Sequence, residues 1–213
     1  MFANRQLVKK IVNRVRTAAR ETVDDLVATR VEHETHFTDR FIGNLQHQLN
    51  GKTIAGVRWT VKTLTDRVVS GQEREFGADF MGVLDVEMEG FSAKKGFLAQ
   101  AKRVEPSGKF PSSEASRLRE QCEKMLRHTP DSFVFLYPAH SGVTVVPAVE
   151  VMGARDCNPH ELTAKPVGQF FEDHLDCFIG DPKIQSADVR QLQALRADLA
   201  ARSGYVLEGR GPQ

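Results

Sequence analysis

Two apolar stretches near the middle of the chain constrain its fold most strongly. Residues 78–88 read ADFMGVLDVEM and residues 97–102 read FLAQAK, with a segment rich in glycine, serine and lysine between them. Short apolar runs that are bounded by turn-forming residues are typical of buried strands. The two stretches therefore predict a β-hairpin with its turn at residues 89–96.

Helices and further strands are expected around this hairpin. Apolar residues from Leu7 to Val27 recur at three- and four-residue steps, which predicts a long amphipathic helix. The other predicted elements, in chain order, are a helix at 31–49, a strand at 57–61, a helix capped by Ser112 or Ser113 and ended by Pro130, strands at 132–137 and 143–151, and helices at 161–180 and 187–202. This order predicts the α/β class, a mixed sheet with helices packed on it.

Length and charge favour one sizeable domain with appended segments. The chain has 213 residues, of which 40% are hydrophobic and 27% charged, with a net charge of +1. We expect a basic helix at 1–30, a main domain at 31–180, and a C-terminal helix with a flexible tail at 181–213. Residues 1–20 carry six basic residues and no acid, so the remainder has a net charge of −5. Such an arm is either a solvated helix face or a surface for polyanions.

Several classes of protein are excluded or disfavoured. No apolar run approaches the roughly 18–20 residues of a membrane span, and the basic start lacks the apolar core of a secretory signal. The three cysteines form no disulfide or zinc pattern, so we expect a cytoplasmic protein without a membrane partner. His33-Glu34-Thr35-His36 is one residue short of the zinc-protease motif, and phosphate-loop and serine-hydrolase motifs are absent from the sequence.

Three polar residues in the hairpin are the best candidates for chemistry. Asp79 opens the first strand, while Gln100 and Lys102 lie two apart on the second and therefore share a face. Burying such groups is costly unless something uses them. The oxygens of Asp79 and Gln100 suit Mg²⁺, and Lys102 could then activate water or neutralise charge on a phosphate. Taken alone, Asp79 is equally well a strand-entry or turn residue.

With Glu34 on the second predicted helix, these residues resemble the PD-(D/E)XK nuclease superfamily, in its QxK variant found in Mrr-like enzymes. The resemblance covers residues 31–137 and implies a restriction-endonuclease-like core, α-β-β-β-α-β, with an N-terminal helix and C-terminal helices added. It implies that Glu34, Asp79, Gln100 and Lys102 are catalytic. The first three would bind Mg²⁺, for which Mn²⁺ could substitute. Glu75 is an alternative first acid, and solvation is the simpler role for Glu32 and Glu73.

The resemblance implies a metal-dependent endonuclease that hydrolyses phosphodiester bonds of DNA, plausible in bacterial defence against foreign DNA. We expect either a homodimer or higher homo-oligomer, or control by a regulatory partner. Because Gln100 replaces the commoner acid, the alternative is a weak or inactive member that serves as a binding or assembly subunit. Candidate nucleic-acid contacts, each of which could equally be a solvated surface group, are Lys94 and Lys95 at the hairpin tip, Arg103, Lys109, Arg117 and Gln121.

Overall fold

The computed structural model describes residues 4–28, 34–65, 77–107, 109–139, 141–154, 157–185, 189–199 and 201–212. The helices are α1 (Arg5–Val27), α2 (Glu34–Leu49), α3 (Ser112–His128), α4 (Ala148–Gly153), α5 (Val167–Leu175) and α6 (Val189–Asp198), with a 3₁₀ turn at Pro159–Glu161. The strands are β1 (Thr53–Ile54), β2 (Val57–Thr65), β3 (Ala78–Met88), β4 (Phe91–Lys102), β5 (Ser132–Leu136), β6 (Thr144–Pro147), β7 (Lys165–Pro166) and β8 (Ala201–Arg210).

The strands form one eight-stranded mixed sheet. Their order is β1-β2-β8-β3-β4-β5-β6-β7. Strands β3 and β4 form the expected antiparallel hairpin at the centre, and β4 pairs in parallel with β5. The mixed sheet with flanking helices confirms the α/β class. No helix within the described ranges combines the length and apolar character needed to cross a membrane.

Helices cover both faces of the sheet, because successive side chains of β3 and β4 point to opposite sides. On one face, Phe80, Ala99 and Ala101 belong to a core shared with α1, α2 and α5. On the other face, Met81 and Leu98 belong to a second core shared with α3 and α4. The apolar stripe of α1 is therefore buried in its own domain.

The C-terminal segment differs most from the sequence-based expectation. The predicted helix at 187–202 is shorter, and the tail that we expected to be flexible forms β8 between β2 and β3. Residues 205–207 are each 1% exposed. Gly209 lies under the ring of Trp59, where an added Cβ would come within 3.1 Å of the ring. The absence of a side chain at Gly209 therefore lets the Trp59 ring pack closely against β8. From the sequence alone, this glycine was expected to lie in a linker.

Other boundaries also differ, and the helix expected at 161–180 is confined to α5. The hairpin turn is only Glu89–Gly90, and Gly90 takes the positive φ of 71° that tight turns require. Helix α3 begins at Ser112 with Pro111 at its N-cap position, so the predicted serine cap is wrong. The strand expected at 143–151 ends at Pro147, because helix α4 begins immediately after this proline.

Candidate active site at the end of the central hairpin

The candidate site lies where β3 and β4 separate. Their pairing runs from Met88↔Phe91 to Phe80↔Ala99. Beyond that point the Asp79 side chain continues the ladder, since its Oδ2 accepts a hydrogen bond of 2.9 Å from the Ala101 amide. Extending the register by one residue places Asp79 opposite Gln100. Residues directly opposite in an antiparallel pair share a face, so both side chains lie on the α3 side of the sheet.

Gln100 has an unsatisfied buried oxygen. The residue is 0% exposed, and its Nε2 donates a hydrogen bond of 2.9 Å to the carbonyl oxygen of Gly77. Because a carbonyl only accepts, this bond turns the amide Oε1 the other way. That oxygen is buried and has no hydrogen-bond partner among the described residues. An orphaned buried acceptor costs about 1–3 kcal/mol, a cost that a cation or a water molecule on this oxygen would remove.

Lys102 completes the group on the same face. It is 2% exposed, and its Nζ lies 3.5 Å from Oε2 of Glu114 in the first turn of α3. The end of β4 is held by Tyr137, whose amide donates a hydrogen bond of 3.1 Å to the Lys102 carbonyl. The structure thus brings Asp79, Gln100 and Lys102 to one face and one end of the hairpin.

Helix α2 reaches the same end of the sheet from the opposite face. The ring of Phe37, in the first turn of α2, stacks on the ring of Tyr137 with centroids 3.6 Å apart. Tyr137 directly follows Leu136, which pairs with Lys102. Glu34 is the first residue of α2, but its side chain lies outside the described residues. Its catalytic role therefore stays a prediction, and the alternative acids Glu32, Glu73 and Glu75 fall outside the described ranges altogether.

The described donors suit a hard cation. Within the described ranges, no group of three or more His, Cys, Asp and Glu residues is arranged to hold a metal ion. Among the described residues of the site, the oxygens that could hold a cation are those of the Asp79 carboxylate and the Gln100 Oε1, which has no hydrogen-bond partner there. Mg²⁺ is commonly bound through one or two protein oxygens, with water and phosphate oxygens completing its shell. The residues present fit Mg²⁺ used in that way.

The two lysines that we predicted at the hairpin tip are elsewhere. Lys94 and Lys95 lie within β4, and Lys95 is about 23 Å along the strand from Lys102 at 3.3 Å per residue. Lys95 is 5% exposed, and its Nζ donates a hydrogen bond of 2.6 Å to the Ile179 carbonyl. The Lys94 Nζ lies 3.8 Å from Oδ2 of Asp85. Their predicted position is therefore wrong, and Lys95 has a structural role in the core.

The other predicted contacts lie nearer the site. Arg103 follows Lys102 directly, Lys109 lies in the loop that leads to α3, and Arg117 lies on α3; all three are exposed. Gln121 is half-buried on α3, and its Oε1 is buried without a hydrogen-bond partner in the described chain. Helix α3 passes from Glu114, beside Lys102, to Lys124, beside Gly77, so Gln121 lies between them. Contact of these residues with nucleic acid stays a prediction.

Sequence reasoning missed two neighbours of the site, Gly77 and Glu114. Gly77 orients Gln100 through its carbonyl, and it leaves room for α3, because a Cβ there would lie 3.0 Å from Cβ of Lys124. Glu114 could have been found from helix periodicity, since it lies four residues before Leu118 and seven before Gln121. Cys122 on the same helix is no nucleophile, because burial raises the pKa of its thiol to about 12.

No family model, curated protein or solved structure matches this chain. The function of the protein is therefore inferred from the geometry of the hairpin end and from the resemblance of its motif.

Proposed function

We propose that the protein is a Mg²⁺-dependent endonuclease with a restriction-endonuclease-like core that hydrolyses phosphodiester bonds in DNA. The observation that carries the proposal is the buried, unpaired Oε1 of Gln100 beside Asp79 and Lys102. Apart from the two-residue β1 before β2, the order α2, β2, β3, β4, α3 and β5 follows the α-β-β-β-α-β order of that superfamily, which supports the proposal.

The position of β8 departs from the superfamily core, in which the three strands are consecutive and antiparallel. Strand β8 lies between β2 and β3 and runs parallel to β3. It contacts the edge of β3 that faces away from β4. The hairpin end, with β4, β5 and α3 beside it, keeps the arrangement that the proposed chemistry needs.

The proposed roles follow from the surroundings of each side chain. The Asp79 carboxylate and Gln100 Oε1 would hold Mg²⁺, which, when bound, supplies a Lewis acid and lowers the pKa of coordinated water. The Lys102 ammonium neutralises negative charge that develops on the phosphate, and its burial strengthens that interaction. The Glu114 carboxylate, 3.5 Å away, holds the ammonium toward α3 until phosphate competes for it.

The direct test is a cleavage assay on purified protein. Supercoiled plasmid, linear duplex, single-stranded DNA and RNA are each incubated with Mg²⁺, Mn²⁺ or EDTA. We expect DNA cleavage that depends on the divalent cation, and preferential cleavage of RNA would overturn the assignment of substrate. If duplex DNA is cut in both strands, two active sites are required, and a homodimer detected by light scattering would supply them.

Two variants with a matched control separate catalysis from folding. Asp79→Asn keeps an oxygen that can accept from the Ala101 amide but removes the charge, and Lys102→Met keeps length but removes the ammonium. Both should lower cleavage at least about a hundredfold, the typical effect of removing one transition-state contact. Lys183→Met is the control, because it makes the same change at an exposed position in the segment that bonds Gly96, about 20 Å along β4 from Lys102. Equal activity in all three variants would refute the assignment.

The neutral side chain at Gln100 favours one alternative, a weak or inactive nuclease-fold protein that acts as a nucleic-acid-binding or assembly subunit. A site with one carboxylate fewer binds a cation less tightly. That alternative predicts no cleavage with any metal and no effect of Lys102→Met on biological activity.

A further inference from the structure

A cavity on the α1 face of the sheet lies outside the candidate active site, which is on the α3 face. It has a volume of about 460 Å³ and lies between α1, the connection from β5 to β6, and the start of α5. This volume falls within the range of about 300–1,000 Å³ that is usual for sites of small molecules.

The walls of the cavity are apolar and well packed. Ala19 and Val23 of α1 form one side, while Val143 and Val167 form the other. All four are buried, with exposures of 3–9%. Gly142 also lines the cavity, and a Cβ added to it would meet nothing within 4 Å. Gly142 is exposed, so the cavity is open to solvent on this side.

Two arginines form the polar part of the lining. Arg16 and Arg20 lie four residues apart on α1, a spacing that puts their Cβ atoms about 5–6 Å apart. The Arg16 side chain packs against Gly168, where a Cβ would lie 2.2 Å from its Nε. The absence of a side chain at Gly168 is thus what allows the guanidinium to lie there.

The four arginines of α1 divide into two groups. Arg5 forms an ion pair with Asp176, and Arg14 donates a hydrogen bond to the Gln48 carbonyl. In contrast, Arg16 donates a hydrogen bond to Asn13 of its own helix but forms no ion pair within the described chain, and Arg20 has neither an ion pair nor a hydrogen bond there. Two like charges at this spacing destabilise a helix slightly. Neither guanidinium group is neutralised by an ion pair within the described chain, and both suit the planar, bidentate recognition of phosphate or carboxylate.

We propose that this cavity binds a small organic anion, with its apolar body between α1 and Val143 and its phosphate or carboxylate on Arg16 and Arg20. Asp24, which also lines the cavity, offsets one of the two positive charges and favours a ligand of low total charge. The site is independent of the proposed nuclease activity.

Calorimetric titration with four probes tests this proposal: 1-naphthyl phosphate, 1-naphthoate, 1-naphthol and inorganic phosphate. At least one of the two naphthyl anions should bind about tenfold more tightly than both naphthol and inorganic phosphate. The tighter of the two naphthyl anions identifies the anionic group. Equal binding of naphthol, or no binding of either naphthyl anion at millimolar concentration, would overturn the proposal.

Variants locate the site. Arg16→Ala and Arg20→Ala should each weaken binding of the naphthyl anion about tenfold, the effect of losing one charged hydrogen bond. Lys9→Ala is the control, because it removes one exposed positive charge from α1 outside the cavity. Gly142→Leu keeps both arginines and adds an apolar side chain at the mouth of the cavity, so it should weaken the naphthyl anion about tenfold but leave inorganic phosphate unchanged. If Arg20→Ala, at an exposed position, behaves like Lys9→Ala, the assignment is wrong.

Discussion

Replacing Gln100 by glutamate tests the candidate site more sharply than any deletion. The motif alone suggests that Gln100→Glu should simply tighten Mg²⁺ binding, since it restores the commoner acid. The structure adds a cost, because the Nε2 of Gln100 donates to the Gly77 carbonyl and an ionised glutamate cannot donate. Without a cation, the variant would place a carboxylate at a fully buried position beside the Asp79 carboxylate and against a carbonyl oxygen.

The expected size of this effect follows from burial. An uncompensated buried charge costs about 3–5 kcal/mol. For a chain of this size each kcal/mol lowers the melting temperature by about 2–4 °C. We therefore expect Gln100→Glu to melt about 6–20 °C below the wild type in EDTA at pH 7.5. Saturating Mg²⁺ should recover much of that loss, since a ligand at a hundred times its Kd adds about 2.7 kcal/mol.

The assay is thermal unfolding in EDTA and in Mg²⁺, followed by circular dichroism. Gln100→Met is the matched control, because it also loses the bond to Gly77 but carries no charge, so Mg²⁺ should not stabilise it. The deficit of Gln100→Glu in EDTA should shrink as the pH falls. Burial raises the pKa of such a carboxyl, and the protonated acid can donate to Gly77. Two results would contradict this prediction: a Gln100→Glu variant as stable as the wild type in EDTA, or equal stabilisation of the methionine variant by Mg²⁺.

Three further predictions concern activity and stability. Burial, and to a smaller extent the charge of Lys95, lowers the pKa of His174 from its ordinary 6.5 to about 3. The free energy of unfolding should therefore fall by about 2 kcal/mol from pH 7 to pH 5, because only the unfolded chain binds a proton at this histidine in that range. In His174→Phe this pH dependence should shrink, and denaturant titrations at the two pH values measure it; an unchanged slope would contradict the assignment. Gly82→Ala should destabilise the protein by about 1–3 kcal/mol, because its Cβ would lie 2.5 Å from the Phe97 ring. Gly43→Ala, in open space on α2, should instead stabilise it by about 0.5–1 kcal/mol; melting temperatures compare the two, and equal shifts would argue against the packing. Glu114→Gln should change the rate of any cleavage more than it changes the melting temperature, since it removes the ion-pair partner of Lys102; an unchanged rate would show that Glu114 does not position the lysine.

The common face of Gln100 and Lys102 was predictable from the sequence because it depends only on the two-residue period of a strand. The position of the hairpin turn was not. Residues 92–95 look like a turn, yet Lys95 is accommodated in β4 by the distant Ile179 carbonyl. The orientation of Gln100 likewise depends on Gly77, which is 23 residues away in the chain. The alternation of residues along a strand predicts which side chains share a face. Where a strand ends, and how a buried amide side chain is oriented, depends on contacts with residues distant in the chain.

The position of β8 has a consequence for the order in which the sheet can be completed. Val61 of β2 and Val83 of β3 both pair through residues 206–207, which are among the last described residues to leave a ribosome. Until then β2 and β3 each present an edge with unpaired amides and carbonyls, the kind of edge that invites pairing with other chains. Completion of the sheet must therefore follow synthesis of nearly all the described chain, and nascent chains interrupted before residue 201 should depend on chaperones to avoid aggregation.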